Sequence, residues 1–134
     1  MLVSENYDES QIHLARMAPA RYYQQPHAFG FTAAPTRFGD VNFTLQQTAK
    51  GGLHGTMSLR RRQGVVAGSV PVPVVTVRLS SGVVGKPFSC VQIHGGAGSG
   101  PKLLAWHPAN ETAWVALGQV TEGGTGVFEL SAPC

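Results

Sequence analysis

Few side chains in this sequence can do acid–base, metal or nucleophilic chemistry. The five histidines are His13, His27, His54, His94 and His107. His94 and His107 flank a glycine-rich stretch, and a hairpin there brings them towards each other. With a third ligand they form a candidate copper or zinc site, and with it a small His-based metalloenzyme. The simpler expectation for all five is an exposed or hydrogen-bonded imidazole, so no metal and no cofactor is assigned. The seven carboxylates are Glu5, Asp8, Glu9, Asp40, Glu111, Glu122 and Glu129. Three fall in an N-terminal arm and the rest in turns or on polar strand faces. No pair of them is assigned to acid–base catalysis, and no GxSxG elbow offers a nucleophile. The set of expected catalytic residues is empty.

Other residues suggest binding instead. Trp106 and Trp114, with His107 beside the first, are the candidate carbohydrate-binding residues, because the C–H face of a sugar stacks on an exposed indole. Trp114 shares a strand face with Thr112, opposite Val115 and Leu117. If the valine and leucine point inward, Trp114 is partly exposed or covered by the arm. The competing expectation buries both tryptophans in the core or under the arm. Residues 95–100 are glycine-rich, but Pro101 stands where a phosphate loop needs lysine and no helix follows, so they read as a hairpin loop. Arg60-Arg61-Arg62 is the one basic run and reads as a solvated strand end or turn. Nucleic-acid domains interleave many more basic residues with aromatics, so no nucleic-acid partner is expected. Cys90 lies in an apolar run and reads as a buried free thiol. With Cys134 as the only other cysteine, no disulfide framework is expected. Asn42-Phe43-Thr44 and Asn110-Glu111-Thr112 match the N-glycosylation pattern, which matters only in a secreted eukaryotic chain.

The elements that must carry these residues have a period of two. A chain of 134 residues suits one domain with a core of its own. Charged residues are 13%, about half the usual share. The surface is therefore rich in small polar residues, or partly covered by another domain or subunit. In 40–46, Val41, Phe43 and Leu45 face one way and Asn42, Thr44 and Gln46 the other. A turn follows at Lys50-Gly51-Gly52. In 53–60, Leu53, Met57 and Leu59 lie opposite His54, Thr56, Ser58 and Arg60. Alternation returns in 74–79, 88–94, 112–117 and 126–130, with a short run at 103–106. Residues 63–73 are a Gly/Pro-punctuated link. Seven or eight short strands with turn signals every 8–12 residues are the signature of an all-β, antiparallel two-sheet β-sandwich. Residues 1–36 are expected to form an N-terminal docking arm, with 11–15 a short strand or helical turn. Tyr22, Tyr23, Phe29 and Phe31 make that arm too apolar to hang free. The sandwich proper is expected over 37–134. The N-terminus has neither the basic nor the apolar region of a signal peptide, and no apolar run is long enough for a membrane span. No membrane partner is expected, and the compartment is left open.

Three stretches carry a resemblance. The first is Ala34-Pro35-Thr36-Arg37-Phe38-Gly39-Asp40-Val41-Asn42-Phe43. The second is Val75-Thr76-Val77-Arg78-Leu79, followed by Gly85-Lys86-Pro87-Phe88-Ser89-Cys90-Val91-Gln92-Ile93-His94-Gly95. The third is Trp106-His107-Pro108-Ala109-Asn110-Glu111-Thr112-Ala113-Trp114-Val115. In order and spacing, residues 34–117 resemble the C-terminal β-sandwich of multidomain bacterial glycoside hydrolases, carbohydrate-active enzymes. Here the turn at 95–100 is expanded, and 122–134 has no counterpart. The resemblance implies a non-catalytic accessory domain that braces a separate catalytic domain in a parent chain, which can be secreted, and sometimes contacts carbohydrate. It carries no catalytic residue onto this sequence. A different class also fits the low charge and the aromatic arm: a self-associating structural protein, such as a coat, decoration or filament subunit. Its partner would be another copy, giving a homo-oligomer.

Overall fold

The computed structural model describes residues 2–6, 9–16, 18–24, 27–62, 72–82, 85–95, 100–118, 120–121 and 123–133. Most of the Gly/Pro link and of the 95–100 loop lies outside these residues, as do Asp8, Glu122 and Cys134. The strands are β1 (Val3–Asn6), β2 (Gln11–Leu14), β3 (Phe29–Thr36), β4 (Gly39–Gln47), β5 (Leu53–Arg60), β6 (Val74–Arg78), β7 (Gln92–Gly95), β8 (Lys102–His107), β9 (Thr112–Ala116) and β10 (Thr125–Ala132). One short helix, α1 (Ala20–Tyr23), precedes β3. The strands form two five-stranded sheets, ordered β1-β2-β6-β9-β8 and β3-β4-β5-β10-β7. The chain is an all-β sandwich, antiparallel except where β2 pairs parallel with β6.

The expected alternation sets the second sheet. Val41, Phe43 and Leu45 of β4 are buried together with Leu53, Met57 and Leu59 of β5. The two strands pair in one unbroken register from Asp40↔Arg60 to Gln47↔Leu53. Phe128 and Leu130 of β10 complete this wall, and Val75, Val77, Ala113 and Val115 face it from the first sheet. Each large side chain buried in this way contributes about 1.5–3 kcal/mol of transfer free energy.

The segment expected as an arm docks on its own domain and supplies strands to both sheets. Ile12 and Leu14 of β2 enter the core, while Gln11 and His13 face outward. Tyr23, only 1% exposed, donates its hydroxyl hydrogen to Arg78 O at 2.6 Å. Burial raises the pKa of that phenol well above its usual range, although the Arg78 charge opposes the shift. Phe29 meets Tyr22 and Tyr23 edge to face, with ring centroids 5.5 and 5.2 Å apart. The turn from β3 to β4 is built by Thr36, whose Oγ1 accepts from the N–H of Phe38 and of Gly39 and donates to Gly39 O. Gly39 has φ +145°, and a Cβ there would lie 2.3 Å from Arg60 O, so only glycine fits.

One expectation is corrected. Cys90 is not a free thiol: it is disulfide-bonded, and among the described residues no cysteine is free. The reason lies in the sheet. β7 pairs with β10 in a register that ends at Ser131↔Gln92, so the residues just before β7 run beside the end of β10. A linear reading of the sequence does not reveal that neighbourhood. Among the described residues, no helix is long and apolar enough to cross a membrane.

Candidate functional site

The outer face of the first sheet carries a depression of about 610 Å³. Cross-strand register builds it. His13 of β2 stands beside Thr76 of β6, Thr76 opposite Trp114 of β9, and Trp114 opposite Ala105 of β8. One residue pair along, Arg78 faces Thr112, which in turn faces His107. The connections add Glu9, Arg16 and Asn110 to the rim. The side chains on this face point away from the core because Ile12, Val75, Val77, Ala113 and Val115 occupy the alternate positions.

At the centre, His13 Nδ1 and Thr76 Oγ1 are 2.6 Å apart. Thr76 faces outward yet is only 5% exposed. Burial, then the neighbouring Arg16 guanidinium, hold the His13 imidazole below its usual pKa, while Glu9 pulls the other way. A neutral imidazole offers one donor and one acceptor, so after its contact with Thr76 it keeps one ring nitrogen for a ligand. His107 packs on Trp114 with their rings near perpendicular and centroids 6.2 Å apart. That contact fixes the indole as a half-exposed wall. The far corner is rigid as well. Arg78 Nη1 donates to Ala18 O at 2.6 Å, its Nη2 lies 3.7 Å from Glu111 Oε1, and Glu111 O accepts from Leu79 N at 2.7 Å.

The residues expected to bind carbohydrate thus separate. Trp114 lines the depression and His107 holds its ring. Trp106 points the other way: it packs against the core and donates Nε1–H to Phe88 O at 3.0 Å. An irregularity in β8 between Leu103 and Ala105 explains the difference. It leaves Leu104 48% exposed and turns Trp106 inward. His94 and His107 are not brought together. His94 lies on the second sheet, opposite Glu129 of β10, while His107 ends β8 on the first. Among the described residues, no group of three or more histidine, cysteine, aspartate or glutamate side chains is placed to hold a metal. Glu9 is the one carboxylate among the described residues that line the depression.

The linear sequence had not marked the contributions of the arm, namely Gln11, His13, Arg16 and Glu9. The one available signal was the alternation of Gln11 and His13 with Ile12 and Leu14, only four residues long. Asn42, the first residue of one glycosylation triplet, has its amide occupied: Oδ1 accepts from Ala33 N at 2.7 Å and Nδ2 donates to Ser58 Oγ at 3.0 Å. No protein-family model, curated protein or solved structure matches this chain.

Proposed function

We propose that the chain is a non-catalytic β-sandwich module that contacts carbohydrate through the depression around Trp114, as an accessory domain to a catalytic domain of the glycoside-hydrolase kind. The observation that carries the reading is the company Trp114 keeps. A braced, half-exposed indole stands in one depression with the side chains of Gln11, His13, Arg16 and Asn110. A sugar ring presents an apolar C–H face and a rim of hydroxyls, and needs an aromatic surface with polar groups around it. The site lacks the second carboxylate that glycoside hydrolysis uses, again among the described residues. The resemblance of residues 34–117 to accessory sandwiches supports the same reading. The test is a titration of neutral and acidic oligosaccharides followed by tryptophan fluorescence. The Trp114→Ala variant is expected to lose binding at least tenfold, about 1.4 kcal/mol. A panel in which no saccharide binds removes the reading.

A further inference from the structure

The depression leaves the basic run unexplained. Arg60 closes β5 on the outer face of the second sheet, opposite Asp40 of β4 and Thr125 of β10. Three consecutive residues on a straight strand would alternate between faces. Here the strand ends at Arg60, and Arg60, Arg61 and Arg62 line one recess of about 250 Å³ together with Asp40 and Gly123. Two of the three are positioned by their surroundings. Arg61 donates from Nη1 to Val120 O at 2.8 Å, and its backbone N–H to Gly124 O at 2.9 Å. Arg62 Nη2 lies 3.2 Å from Asp40 Oδ1. Arg60 is exposed and enters no ion pair among the described residues. Among the described residues that line the recess, three guanidiniums stand with one carboxylate.

We propose that this recess binds a single tetrahedral oxyanion group, a sulfate or phosphate, either free or as the ester of a small molecule. The guanidinium fork matches two oxygens of such a group at once, and its negative charge suits a recess lined by three arginines. At about 250 Å³ the recess has room for one such group. No aromatic side chain lines the recess among the described residues, which sets it apart from surfaces that track a nucleic-acid strand.

The test is an NMR titration of the whole chain with sodium sulfate, sodium phosphate and a monosaccharide 6-sulfate, at ionic strength held constant with chloride. Saturable shifts of the Gly123 and Gly124 amides and the arginine Nε signals are expected. Arg60→Gln and Arg62→Gln should each weaken binding about tenfold, and Lys102→Gln, in β8 of the other sheet, should leave it unchanged. If one variant fails to fold, the other carries the test. Tighter binding of the sugar ester than of inorganic sulfate identifies an ester as the source; equal binding identifies the free ion. Shifts that chloride reproduces, or that persist in both variants, overturn the proposal. So does a single-stranded oligonucleotide that binds far more tightly than phosphate, because it would mark a track for a polyanion.

Discussion

Trp114 and Trp106 share a residue type and differ in fate because a single irregularity in β8 separates their surroundings. Trp106→Ala removes an indole packed on the core and its hydrogen bond to Phe88, and should cost roughly 3 kcal/mol of stability by chemical denaturation. Trp114→Ala should leave the unfolding midpoint nearly unchanged and act on binding alone. A large stability loss in Trp114→Ala would place that ring in the structural class instead. His13 supplies a pH signature. Its folded pKa lies below the ordinary histidine value of 6.5, so the unfolded chain binds a proton more readily. The stability tied to this group is therefore present above pH 6.5 and is lost as pH falls through the lower, folded value. The groups that set the shift are Arg16, which lowers it, and Glu9, which raises it. Thermal unfolding at pH 7.5 and pH 5 should show a larger drop for the wild-type chain than for His13→Gln, and equal drops would contradict this. Trp114 was legible in the sequence because Thr112, Val115 and Leu117 alternate cleanly around it. His13 was not, because a four-residue alternation gives no sign of a partner strand some sixty residues away.

Among the elements, the strands from β4 onward were legible, and those of the N-terminal segment were not, beyond the short strand or helical turn expected over 11–15. β5 runs over the residues the alternation marks, and β4 exceeds its marked span by one residue at each end. Eight or nine alternating residues fix a face, and a one-residue slip would turn every buried side chain outward. β1 and β2 have four residues each, and β3 carries an irregularity between Phe31 and Ala34. Their strand character comes from pairing, above all the parallel contact of β2 with β6, and not from local pattern. It follows that the N-terminal segment is part of the folding unit. Ile12→Ala, at a position with no exposed surface, should destabilise the whole domain by about 2–5 kcal/mol in one cooperative urea transition. A loss below half a kcal/mol, or a separate early transition, would show that the segment is peripheral.

For the molecule as a whole, two properties stand out beyond the sandwich itself. The first is covalent. Cys90 is disulfide-bonded, so the native protein should show no reactive thiol even when denatured. Reduction should lower its stability by about 2–4 kcal/mol, read as a fall in melting temperature. A titratable thiol in the unreduced protein would contradict the bridge. Such bonds persist in oxidising compartments. The second is the separation of two polar surfaces on opposite sheets, the depression at Trp114 and the arginine corner at Arg60. The low charge that left open a covering partner is met in part within the chain, since the second sheet presents Asn42, Thr44, Thr56 and Ser58 as mutually hydrogen-bonded pairs. Calorimetric titration of oligosaccharides into the wild-type chain and Trp114→Ala tests whether the depression takes a saccharide. Saturable binding to the wild type with a loss of at least tenfold in the variant is the expected result. Equal affinities in the two proteins, or no heat of binding from any saccharide, would contradict it.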